Sequence, residues 1–121
     1  MMGRGDNILH SKVDALTDRL VKMVVYLRKK GAEKAYLDQV ARSGTSIGAN
    51  VYESKNAQSR ADFVNKLSIA LKEADETTFW LSKFHVIGEL TDEEFNSINS
   101  DTKEIIYLLT AIIKKTKENG L

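Results

Sequence analysis

Cysteine is missing from this sequence altogether, which excludes disulfides and thiolate metal sites. The composition suits a reducing compartment, so a cytoplasmic location is expected. Proline is absent too, which removes the strongest helix breaker and leaves glycine as the main punctuation. No apolar run is long. The longest, Ile105 to Ile113, already contains Thr110 and falls short of the ~18 residues a membrane span requires, so no membrane segment is expected. The opening Met1 to Asp6 carries charge without an apolar segment behind it, and a secretory signal is not expected either. Nor does charge of one sign dominate. Eighteen Lys and Arg against seventeen Asp and Glu leave a formal net charge of +1, which gives little long-range attraction for nucleic acid or anionic lipid. Any such binding has to come from local asymmetry.

What is present is helical periodicity. Val13, Leu16, Leu20, Met23 and Leu27 recur at spacings of three and four, which places them on one helix face. Asn7 or Ser11 is placed to cap that helix, and Arg28, Lys29, Lys30 and Gly31 read as its C-terminal turn. Leu37, Val40, Gly44, Ile47 and Val51 repeat the pattern, with Gly44 and Gly48 permitting close helix approach. After a polar turn, Ser59 and Asp62 resemble a capping box for a stripe of Phe63, Leu67, Ala70, Ala74, Thr78, Leu81 and His85. Leu90 through Phe95 gives the clearest start: Thr91 caps, Glu94 reaches back and Leu90 staples onto Phe95. Phe95, Ile98, Thr102, Ile105, Leu109 and Ile112 follow, before Lys114, Lys115 and Lys117. These signals predict helices over about 7–30, 34–54, 59–87 and 92–118. Short turns favour antiparallel neighbours. The predicted fold is all-α, an antiparallel up-and-down four-helix bundle, in one domain over residues 1–121.

Catalytic chemistry finds little support. A carboxylate-bridged di-metal site in a bundle needs Glu-x-x-His pairs, and neither His10 nor His85 has Glu three residues before it. His85 is expected at the edge of the core. Gly44 to Gly48 lacks the lysine and preceding strand of a phosphate loop, Arg4-Gly5-Asp6 reads as a chance tripeptide, and no serine stands in a nucleophile elbow. Glu73 and Glu76, one turn apart, read as a solvated or salt-bridged face. No enzyme activity, metal or cofactor is expected.

Two lines of residues lie off the core stripes. On the second helix Gln39, Arg42, Ser43, Ser46, Asn50 and Glu53 share an arc, and on the third so do Lys66, Ile69, Glu73, Glu76 and Trp80. Serine and asparagine are weak helix formers, and their concentration points to close packing. Folding about the turn near Ala57 sets Arg42 opposite Glu73 and Gln39 opposite Glu76. Arg42 is therefore expected to bond Glu73 or Glu76 and fix the register. Two further groups are candidate nucleic-acid contacts. Lys12, Arg19, Lys22, Tyr26 and Lys29 form a basic strip with one aromatic on the first helix. Arg4, Lys55, Arg60, Lys114, Lys115 and Lys117 gather at one bundle end. The competing reading is ordinary dipole complementation, with Asp14 and Asp18 pairing Arg19 and Lys22.

Arg42-Ser43-Gly44-Thr45-Ser46-Ile47-Gly48-Ala49-Asn50-Val51 with Glu53, together with Phe63, Lys66-Leu67, Ile69-Ala70, Glu73, Glu76 and Trp80-Leu81, resembles the signature of bacterial four-helix-bundle proteins encoded in 23S rRNA intervening sequences. The resemblance implies a ring-like homo-oligomer, a pentamer, without catalytic activity. A more distant similarity links that family to pentameric accessory proteins of diversity-generating retroelements, which bind nucleic acid and a reverse transcriptase. RNA or DNA is thus an expected partner. A protein-scaffolding oligomer that recruits a protein partner is the alternative. A ring needs two different faces for a heterologous contact, and Trp80, Tyr52 and Tyr36 are candidate interface aromatics.

Overall fold

The computed structural model describes the backbone of residues 4–120 and the side chains of residues 7–120. Four helices follow in order: α1 (Arg4–Lys29), α2 (Lys34–Ser54), α3 (Arg60–Val86) and α4 (Asp92–Glu118). Each packs on its two neighbours, α1 closing the cycle against α4, while the diagonal pairs stay apart. This is the antiparallel up-and-down bundle expected from the periodicity. No described helix is long and apolar enough to cross a membrane.

The helix ends follow local chemistry. α1 begins at Arg4, so Asn7 and Ser11 lie inside it rather than capping it. Leu9, one turn before Val13, is buried and extends the apolar stripe towards the N-terminus. At the other end Gly31 takes φ 81°, and the Ala32 amide reaches the Leu27 carbonyl at 3.0 Å. Gly88 closes α3 in the same way, with the Glu89 amide 2.9 Å from the Phe84 carbonyl. Both are Schellman closures, which require the left-handed conformation that glycine adopts without strain. Ser59 caps α3 by accepting from the Asp62 amide, but the Asp62 carboxylate reaches the amide of Gln58 instead of Ser59. The box at Thr91 and Glu94 is complete, and its N–H bond from Thr91 holds the Glu94 carboxyl below its usual range.

The core corrects the expected stripes at four places. Thr77 and Phe84 are fully buried where Thr78 and His85 were expected. The apolar face keeps a strict three-four alternation through Leu67, Ala70, Ala74, Thr77, Leu81 and Phe84, so two successive spacings of four would rotate the stripe off the core. Val24 and Ile113 are likewise buried while Met23 and Ile112 pack only partly against the core. The glycine pair acts between α1 and α2. A Cβ on Gly44 would stand 2.9 Å from Leu20 Cδ1, and one on Gly48 2.9 Å from Thr17 Cγ2. Among the described residues no buried side-chain nitrogen or oxygen lacks a hydrogen-bond partner.

Candidate functional site

The α2–α3 seam gathers most of the off-core polar residues. Arg42 donates through Nη1 to Glu73 Oε2 at 3.2 Å, through Nη2 to Glu76, and through Nε to Gln39 Oε1 at 3.2 Å. The expected pairing is present with both carboxylates at once, and Gln39 serves the guanidinium rather than Glu76. Trp80 Nε1 completes the cluster on Glu76 at 3.0 Å. Beneath it the hydroxyls of Ser43 and Thr77 meet at 3.0 Å in full burial, and Thr77 lies 2.8 Å from the Glu73 carbonyl. Nearer the turn Lys66 pairs with Glu53 at 2.9 Å, a bond that raises the Lys66 pKa. Ser46 and Asn50 bond within α2 and do not cross the seam. The one-turn carboxylate pair is thus held in an ion-pair cluster with a single guanidinium.

The basic strip of α1 is divided. Lys12 pairs with Glu104 at 2.8 Å, and Arg19 with Asp101 at 2.5 Å and with Ser97 at 3.1 Å. All three partners belong to α4, and the pairing of Arg19 and Lys22 with the same-helix Asp14 and Asp18 is not seen among the described residues. The Glu104 bond raises the Lys12 pKa. Lys22 and Tyr26 instead border a groove of about 370 Å³ between α1 and the start of α4, floored by Met23, Leu90 and Ile98. Tyr26 carries Lys30 Nζ 5.2 Å above its ring, and Lys29 is exposed.

The second basic group does assemble at one end, where the α2–α3 turn meets the end of α4. Arg60 is spent on the Asn119 carbonyl, tying α3 to α4. Lys55 lies 5.1 Å over the Tyr52 ring, and Lys114 and Lys117 flank a shallow groove with Leu71 and Ile113. Within the described residues, none of Lys55, Lys114, Lys115 and Lys117 is ion-paired. The side chain of Arg4 lies outside the described residues.

An apolar patch at the opposite end emerges from the structure. Tyr36 stacks on Trp80 at 5.9 Å, and Phe79 meets Trp80 edge-on at 5.0 Å. Val86 and Ile87 extend the patch, which surrounds a hollow of about 240 Å³; Phe79 is 49 % and Val86 77 % exposed. Only Trp80 and Tyr36 of these were anticipated. The available signal was α3 itself, which separates apolar from polar residues least of the four helices because Glu73 and Thr77 face inward while Phe79 and Val86 face out. Tyr52, the third candidate aromatic, stands elsewhere, beside Val21 in a groove between α1 and α2. His85 lies at the core edge as expected, 2.5 Å from Asp92 and stacked on Phe95.

Residues 6–111 match the model of a family described as 23S rRNA-intervening sequence protein. The chain is also similar to a solved structure, a protein with unknown function from the S23 ribosomal protein family of Bacteroides thetaiotaomicron VPI-5482. The two share 46 % identity over 91 % of this chain and 98 % of the other, with a TM-score of 0.88. Among curated proteins none matches.

Proposed function

This chain belongs to the 23S rRNA-intervening sequence protein family, and from that premise we propose that it is a non-enzymatic subunit of a ring-like homo-oligomer that binds RNA or DNA. The observation that carries this reading is the lysine-rich end. In a chain of net charge +1, Lys55, Lys114, Lys115 and Lys117 lie at one end of the bundle without ion-pair partners among the described residues, and they outnumber the nearby acids Asp62 and Glu118. Rotation about a ring axis presents the same end of every copy on one face, which multiplies a modest local potential. The α1 strip contributes less, because Lys12 and Arg19 are already neutralised by α4. Glu73 and Glu76, held on Arg42, serve structure and not acid–base chemistry.

Fluorescence anisotropy with labelled RNA and DNA, single- and double-stranded, tests the proposal across a salt series. Binding is expected to weaken linearly in log–log form as salt rises. Lys114→Glu/Lys115→Glu/Lys117→Glu is expected to abolish it, while Lys12→Gln leaves it nearly unchanged. No binding to any of these probes at about 50 mM salt rejects nucleic acid as the ligand. The exposed cluster around Phe79 supports the alternative of a protein scaffold, which predicts an oligomer by light scattering with no anisotropy change.

A further inference from the structure

Two of the surfaces of this chain differ in charge. The aromatic patch on α2 and α3 exposes the large side chains of Tyr36, Phe79, Val86 and Ile87 around a shallow hollow, and Lys83 Nζ sits 4.9 Å above the Phe79 ring. The groove between α1 and α2 carries the opposite charge. Gly48 and Gly44 draw the two helices together, and Thr17, Thr45 and Ala49 line a trough of about 320 Å³ that Val21 and Tyr52 border and whose rim carries Asp14 and Asp18. Neither aspartate is ion-paired within the described residues, and Lys83 makes no ion pair there either. An aromatic patch with a spare cation therefore stands on one face, and a glycine-narrowed groove edged by two spare carboxylates and Tyr52 on another.

We infer that these faces are the two halves of a single copy-to-copy contact, in which Phe79 and its neighbours of one subunit enter the α1–α2 groove of the next and Lys83 meets Asp14 and Asp18. The inference rests on the homo-oligomer reading above and names the surfaces that build it. The contact is heterologous, since one patch meets a different patch, and such contacts propagate around a ring when the rotation closes. Adjacent seams of a four-helix bundle face roughly a right angle apart, so successive copies turn and do not run straight. Like a protein–protein interface in general, the contact places aromatics at its centre and charges at its edge, and the charges set which faces meet.

The groove and the patch cannot satisfy each other within one chain. The Ser43–Thr77 bond sets Phe79 level with about residue 41 of α2, roughly 12 Å along the axis from Ala49 at 1.5 Å per residue. With no native cysteine and one introduced per chain, no crosslink can form within a subunit. Two measurements decide the matter. First, light scattering of Lys83→Asp and of Asp14→Lys/Asp18→Lys: each is expected to weaken assembly about tenfold or more, and their combination in one chain to restore it. Circular dichroism checks that helix content is unchanged, as expected for exposed positions. Second, a bismaleimide crosslinker applied to Ala49→Cys and Phe79→Cys proteins: the mixture is expected to give dimers, and either variant alone none. An oligomeric wild type whose size ignores the charge reversals, or whose combined variant is not restored, overturns this pairing of faces while leaving the oligomer standing. Crosslinks formed as readily by Phe79→Cys alone would show an isologous contact and overturn it likewise. A monomeric wild type at micromolar concentration overturns the oligomer itself.

Discussion

The α2–α3 and α1–α4 seams use the same chemistry, a cation on one helix against carboxylates on the other, at different depths. Across α2–α3, Arg42 holds a Glu73 side chain that is only 9 % exposed, above a fully buried pair of hydroxyls. Across α1–α4, Arg19 and Asp101 are 43 % and 50 % exposed, and beside them the helices part over a groove. A screened surface pair contributes little because water solvates both ions nearly as well as they solvate each other. A carboxylate excluded from water has no such alternative, so its partner becomes obligatory. The number of ion pairs is therefore a poor guide to which seam fixes the fold; the depth of the carboxylate is the better one.

The sharpest test is Arg42→Ala, which leaves the nearly buried Glu73 only the long, exposed contact with Lys72 at 3.9 Å and is expected to cost about 2 kcal/mol, below the range for fully buried pairs because Arg42 is itself half exposed. It is read as a shift of the urea midpoint at constant slope. Thr77→Val comes next at about 1 kcal/mol, since the Ser43 hydroxyl loses its interhelical partner. Adding Ser43→Ala is expected to cost less than the two single changes together, because removing both polar groups leaves neither unsatisfied. Arg19→Ala should be the mildest, within about 0.5 kcal/mol, and its effect should vanish in about 1 M salt. If Arg19→Ala proved as costly as Arg42→Ala, depth would not be what separates the seams.

The deeper seam is also the more legible one. Arg42 and Glu73 belong to consecutive helices, and a short turn makes their level readable from chain position alone. The α4 partners of Lys12 and Arg19 belong to the last helix, so finding them requires the register of the whole cycle; the same-helix Asp14 and Asp18, expected to pair with Arg19 and Lys22, pair with neither. In α3 the expected stripe departs at Thr78 and His85 because threonine and histidine tolerate either face, whereas the three-four alternation from Leu67 onward leads to Thr77 and Phe84. Phe79, Val86 and Ile87 went unnoticed for a related reason. Single exposed apolar residues are ordinary, and their meaning arises only when Tyr36 is brought beside them from α2.

The turn of residues 55–59 between α2 and α3 has a consequence for an assembly of identical chains. Every partner that Arg42 finds on its own α3 exists also on the α3 of each neighbouring copy, so the polar seam cannot tell self from non-self. What enforces self is tether length, for α3 returns beside α2 at once and Ser59 and Asp62 pin its first turn. Exchange of helices between protomers is a low-cost route to misassembly when a hinge can straighten. Here the capped turn of residues 55–59 holds α3 beside its own α2 at high effective concentration, which favours the closed hairpin as long as the turn stays folded.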